Sequence, residues 1–291
     1  MIRTWAKSFA ADPRHYQIAV LACLLCYGMM ALHLDISPGR VALTLAGVLT
    51  CQLACTRIFR LPAFDWRSAC ISGLSLCLLL RTGSAAIALA AAFLAIAPKF
   101  LVRVAGRHVF NPTNLALVGV MLLTRNAWVS PGQWGNPTWF ALAIACLGGL
   151  VIQRAARADV SLTFLAFYAA LLVWSSAWLG EPMTIPAHRL ESGALLIFTF
   201  FMISDPRTTP ASRAGRILFA LLVAWLAWYW QFRLFRTSGP VWALALLSPV
   251  VPILNRLLPG PAHEWASASG SNKGDIHEVH SNPRRAALPA S

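Results

Sequence analysis

Carboxylates are scarce in this chain. Only 10 Asp and Glu stand among 291 residues, and none falls in the middle of an apolar run. A proton relay or cation pump keeps a carboxylate or histidine inside the membrane, so the chain alone is not expected to form one. Ser-His-Asp hydrolysis is excluded on similar grounds, because no span holds a histidine and no G-x-S-x-G motif occurs. Charge of either sign is sparse, at 12% of residues, against about 25% in soluble domains. No cleavable leader is expected either. Residues 1–15 are polar and basic, and the first apolar run, Gln17 to Leu32, ends in HLDISPGR rather than at a small-residue cleavage site, so it reads as a retained span.

Metal-ligand patterns are also lacking. All seven cysteines lie in apolar runs, and neither Cys23/Cys26 nor Cys51/Cys55 has a histidine or carboxylate beside it. They read as small apolar helix residues, with no metal site and no structural disulfide expected. His263, His277 and His280 in the tail lack ligand spacing as well.

What is present is apolar. Hydrophobic residues make up 58% of the chain and mean hydropathy is +0.63, as in an integral membrane protein. The net charge of +14 does not point to nucleic acid, because the bases punctuate apolar runs instead of gathering on a polar face. Ten apolar runs occur, at 16–32, 41–55, 68–80, 84–97, 111–124, 137–153, 161–179, 193–204, 215–231 and 240–258. Several are shorter than the roughly 20 residues a spanning helix needs, which predicts short or broken helices. With the N-terminus in the cytoplasm and alternating spans, six of the 24 Lys and Arg residues fall outside: Arg40, Arg81, Arg125, Arg189, Arg233 and Arg236. The rest fall inside, so both termini are predicted to be cytoplasmic. Trp128, Trp134, Trp139 and Trp178 then lie near the outer boundary, and Trp5 and Trp66 near the inner one. Residues 1–15 form an N-terminal segment, 16–258 the membrane domain with halves at about 16–124 and 137–258, and 259–291 a Pro-, Gly- and Ser-rich tail expected to be disordered.

Two stretches carry the polar chemistry. In Pro98–Leu123 a basic cluster (Lys99, Arg103, Arg107) leads to Phe110-Asn111-Pro112-Thr113-Asn114 and then a short apolar helix. Asn111 is suited to cap that helix and Pro112 to open it; short helices starting inside a membrane protein line a cavity or ligand site. In the other, Asp205-Pro206-Arg207-Thr208-Thr209-Pro210 closes an apolar run. Asp205 reads equally as a turn residue before Pro206, with Arg207 partly balancing its charge, and as one of a knot of donors and acceptors with Thr208 and Thr209. An internal similarity links the halves: Ser72-Gly73 and Ser192-Gly193 each precede an apolar run. Five spans separate the copies, so they would be antiparallel, the pattern of inverted repeats that bind at their interface. Gly239-Pro240, Ser248-Pro249 and Pro252 are expected to break or kink the last span.

The stretch Gly106-Arg107-His108-Val109-Phe110-Asn111-Pro112-Thr113-Asn114 resembles the G-(R/K)-x-x-FNP-x-(A/N) signature of the B subunit of sodium-translocating NADH:quinone oxidoreductase. It resembles equally the D subunit of the Rnf electron-transport complex. Phe200-Phe201-Met202-Ile203-Ser204-Asp205-Pro206, then Thr-Thr-Pro and Gly215-Arg216, is similar to the same family's FFM-x-(T/S)-DP…TP…GR stretch. The resemblance covers most of 60–258. It implies an all-α polytopic membrane protein of about ten segments in two inverted five-helix halves, similar in architecture to urea channels. It also implies a place in the bacterial cytoplasmic (inner) membrane, with redox subunits and the lipid bilayer as partners and a flavin as cofactor. The family attaches FMN to a Thr in an S-G-A-T-like motif; the corresponding region here, Arg125 to Trp139, contains Thr138 but not that motif. FMN or riboflavin held non-covalently is therefore the expectation.

The function expected is a membrane subunit of an Rnf- or Nqr-like redox-driven translocase, holding a flavin or quinone between the halves. Asn111, Thr113, Asn114, Asp205, Thr208 and Thr209 are the expected cofactor-binding lining, with no catalytic side chain of the chain's own. A small-solute channel or permease and a non-redox scaffold subunit are the alternatives.

Overall fold

Helix starts in this chain are set by small polar residues. Side chains of Ser37, Asp65, Ser84, Asn111 and Ser212 each accept a hydrogen bond from the backbone N–H three residues on. Each cap satisfies one donor that the helix itself leaves orphaned. Proline follows directly at Pro38, Pro112 and, without a side-chain cap, Pro98, and one residue later at Pro240.

The computed structural model describes residues 13–129 and 158–260. The first stretch holds α1 (Pro13–Met30), α2 (Pro38–Ile58), α3 (Trp66–Leu79), β1 (Leu80–Arg81), α4 (Ala85–Ile96), α5 (Pro98–Leu101), β2 (Arg103–Val104), β3 (Arg107–His108), α6 (Pro112–Leu123) and β4 (Trp128–Val129). The second holds α7 (Ala158–Leu179), α8 (Thr184–Leu190), α9 (Gly193–Ile197) running into a π-helical turn at Phe198–Met202, α10 (Arg213–Phe232), α11 (Gly239–Leu247), a 3-10 turn at Ser248–Val250 and α12 (Val251–Leu257). The apolar run 137–153, Thr138, Trp134, Trp139, Trp5 and the tail from 261 lie outside the described residues.

Among the described residues four helices are long and apolar enough to cross a membrane: Pro38–Ile58, Ala158–Leu179, Arg213–Phe232 and Gly239–Leu257. Four shorter apolar ones accompany them, at Trp66–Leu79, Ala85–Leu101, Pro112–Leu123 and Gly193–Met202. The protein is a helical, multi-pass membrane protein. The last long helix changes to 3-10 geometry at Ser248-Pro249, where the missing proline N–H interrupts the α-helical ladder.

Two features differ from the sequence expectation. The helices are supplemented by two-residue antiparallel pairs, Leu80↔Val129 with Arg81↔Trp128 and Arg103↔His108 with Val104↔Arg107. And the two Ser-Gly copies do not occupy equivalent places. Ser192 precedes α9, whereas Gly73 lies mid-way along α3. There a Cβ would come 2.8 Å from Val48 Cγ2 and 2.9 Å from Leu45 Cδ2, so Gly73 serves close packing of α3 on α2 and Ser192-Gly193 serves a helix start.

In the first stretch α2 packs on α3 and α4, α1 on α3, and α4 on α6; in the second α10 packs on both α7 and α11. Between the stretches, α6 packs against α11. Large apolar side chains such as Phe164, Phe198, Phe219 and Leu117 are fully buried at these contacts, while Trp178, Leu122 and Leu123 are exposed, as lipid-facing residues are.

Candidate functional site

The Asn111–Pro112 and Asp205–Pro206 turns meet. Asn111 Nδ2 donates to the Met202 carbonyl at 3.2 Å and to Asp205 Oδ2 at 3.5 Å, across 91 and 94 residues of sequence. Its Oδ1 accepts the Asn114 N–H at 3.0 Å as the α6 cap. One amide thus ends the π-helical turn and begins α6. The wider turn at Phe198–Met202 leaves carbonyls out of ladder register, and Asn111 satisfies one of them. His108 Nε2 lies 3.8 Å from Asp205 Oδ2. Arg107 donates to the carbonyls of Pro206, Arg207 and Thr209.

The six residues expected to line a cofactor site are therefore brought close, but their polar atoms mostly serve each other. Thr208 and Thr209 hydroxyls donate back to the Asp205 carbonyl at 3.4 and 3.1 Å. Asp205 Oδ1 accepts the Arg207 N–H at 3.0 Å. This is an Asx-turn closing a helix, stapled to the first stretch by Arg107 and Asn111. Thr113 and Asn114 are buried in the first turn of α6. Asn114 Oδ1 has no hydrogen-bond partner among the described residues. None of the six lines any of the three cavities described below.

Burial alone raises the Asp205 pKa, but the contact with His108, the Arg207 amide and the Arg207 charge more than offset it, leaving the carboxyl below its ordinary value. A depressed folded-state pKa adds stability above the unfolded pKa and loses it as pH falls through the folded one. Asp205→Asn is therefore expected to lower stability at neutral pH and to flatten its decline below about pH 4. Melting temperatures in detergent, parent against variant, from neutral to acid pH check this; parallel curves contradict it.

Open space lies elsewhere. A cavity of about 310 Å³ opens between the end of α3 (Leu79), β4 (Val129), α7 (Tyr168), α9 with its π-turn (Leu195, Phe198, Met202) and the start of α11 (Ser238, Val241). Arg189, His188, Ser192 and Gln231 give it a polar side. Tyr168 Oη donates to Gln231 Oε1 at 3.0 Å, so the Gln231 amide group is turned to offer its N–H bonds. The Arg189 guanidinium sits 4.6 Å from the Phe232 ring centre, a cation–π contact that holds it half-buried. A second cavity of about 300 Å³ involves Asp35, Arg40, Thr44 and Thr82 at the other end of α2 from Arg57.

Sequence reasoning missed Tyr168, Arg189 and Gln231. The available signal was a tyrosine and a glutamine inside apolar runs, with one arginine just ahead of Ser192-Gly193; nothing in their spacing showed that they converge.

Comparison with known proteins bears on the same region. Residues 126–261 match the model of the NQR2, RnfD, RnfE family. The chain's relatives include the D subunit of the ion-translocating oxidoreductase complex of Escherichia coli, 32% identical over 127 residues. The protein of the same description from Citrobacter koseri is 29% identical over 125 residues. These alignments take in 42% of this chain and 34% of each relative, so the chain spans about a third of the length of the curated relatives it matches. Every residue lining the 310 Å³ cavity except Leu79 falls inside the NQR2, RnfD, RnfE region. His108 and Asn111, which lock the Asp205 turn, precede it.

Proposed function

We propose that the chain is the membrane subunit of an Rnf- or Nqr-like electron-transfer complex, holding a flavin or quinone at the seam of two inverted five-helix halves. The carrying observation is the 310 Å³ cavity, lined from the family region and closed by Leu79 of the first stretch. Its volume lies at the lower end of the ~300–1,000 Å³ usual for small-molecule sites. The inverted reading is supported by chain direction: the end of α3 and the start of α9 border this cavity, while Asp205, just past the π-turn, reaches the Asn111 start of α6.

The residues present fit a flat aromatic ring system. Leu79, Leu195, Phe198, Met202 and Val241 offer apolar walls, the Gln231 amide offers donors to a ring carbonyl, and Arg189 offers a cation. The flavin or quinone supplies the electron-transfer chemistry when bound. The chain's own part is to orient the ring, exclude water and place positive charge beside an electron-rich group. Partner redox proteins deliver and remove the electrons. In this reading the Asn111–Asp205 turns, first expected to touch the cofactor, hold the two stretches together behind it, and both termini face the cytoplasm.

Protein purified with its native partners is expected to carry yellow, flavin-like absorbance that tracks this chain. Arg189→Gln should weaken retention by about tenfold or more, the worth of one charge-assisted hydrogen bond. A colourless, fully folded preparation overturns the flavin reading, and quinone extraction from the same sample then decides whether the cavity holds a quinone.

A further inference from the structure

A third cavity, of about 270 Å³, adjoins the Asn111–Asp205 lock and shares Arg107 and His108 with it. Arg207, Asn255 and Arg256 complete its polar lining. Its three arginines come from three separate places: β3, the turn after Asp205, and α12. Among the described residues no carboxylate lines it, and the adjacent one, Asp205, already faces His108 and Asn111. Arg107 is spent on backbone carbonyls, which hold the guanidinium without cancelling its charge. Arg207 and Arg256 are exposed. The described residues therefore give the cavity a net positive charge that they do not themselves balance.

The segments that line it also carry exposed apolar side chains. Leu101, Val102 and Val104 are 68%, 42% and 42% exposed on one side, and Ile253 and Leu257 are 54% and 71% exposed on α12. A basic hollow on segments that also expose apolar side chains matches a molecule with an anionic head and hydrocarbon tails. A soluble anion would leave those side chains unused.

We propose that this cavity is a headgroup site for an anionic phospholipid. The phosphate sits between Arg207 and Arg256, where a guanidinium can fork two phosphate oxygens. Acyl chains then run over Leu101–Val104 and over Ile253 and Leu257. A lipid held there bridges the β2–β3 turn to α12. The proposal does not depend on whether the 310 Å³ cavity holds a cofactor.

The test is titration of delipidated full-length protein with phosphatidylglycerol, read by native mass spectrometry. The Arg207→Gln/Arg256→Gln double variant should bind roughly 25-fold more weakly, at about fivefold per arginine. Arg213→Gln removes another exposed arginine that does not line the cavity, and should bind as the parent does. If the double variant fails to fold, each single variant should show its own fivefold loss. Unchanged binding in the cavity variants overturns the proposal, as does an equal loss in Arg213→Gln. Displacement of the lipid by millimolar inorganic phosphate also overturns it, marking the cavity as a free-anion site.

Discussion

Arg81→Met is expected to destabilise the protein by about 3–5 kcal/mol. Arg81 is only 1% exposed and lies just beyond the end of α3. Its Nη1 donates to the carbonyls of Cys77 and Leu80 at 3.1 and 2.9 Å, and its Nη2 to that of Leu78 at 3.1 Å. These include last-turn carbonyls that a helix cannot satisfy itself, at the end where its dipole favours a cation. A 14-residue helix is shorter than the roughly 20 residues needed to reach water at both faces, so this end terminates among buried residues. Methionine fills much of the volume but leaves the acceptors bare, each costing about 1–3 kcal/mol. Arg81→Lys should recover part of the loss, because one ammonium cannot hold the same fork. Thermal unfolding in detergent, followed by tryptophan fluorescence, measures both; a methionine variant melting with the parent would remove the capping role.

Gly239→Ala is the second large effect, at about 3 kcal/mol, the upper part of the range for overpacking. A Cβ on Gly239 would sit 2.4 Å from the Ala227 carbonyl oxygen and 3.3 Å from Gln231 Cβ. The first obstacle is backbone of α10, which cannot rotate away as a side chain could, so α11 must move off α10. Small residues at helix crossings permit such close approach in membranes. The displacement should reach the 310 Å³ cavity, because Gln231, Ser238 and Val241 all line it. Loss of the proposed flavin or quinone and a lowered melting temperature are expected together. Gly39 is the control: nothing lies within 4 Å of a Cβ there, so Gly39→Ala should be close to neutral.

Much of the membrane architecture was legible before any coordinates. Apolar runs at 41–55, 68–80, 161–179 and 215–231 correspond to α2, α3, α7 and α10, each within a few residues. The Asn111 cap and the Pro249 interruption were readable because capping and proline effects act within a turn of the residue that causes them. The Asp205 turn was half legible. Its role as a turn residue follows from Asp-Pro, whereas its pairing with His108 and Asn111 joins residues 97 and 94 apart in sequence.

Arg189, Tyr168 and Gln231 show where sequence stops. Each was visible as a polar residue in or beside an apolar run, yet α8, α7 and α10 had to pack before they shared one wall. The inverse held for Thr208 and Thr209, which look like free donors in sequence but turn back onto their own backbone.

The sequence by itself determined that this chain lives in a membrane, where its helices begin and break, and which residues are polar within them. Those properties follow from transfer free energy and local hydrogen bonding, which neighbouring residues decide. Only the tertiary structure decided which polar groups satisfy one another and which are left facing a cavity. That outcome depends on helix packing across long sequence separations, where one glycine or one buried arginine sets the distance between elements.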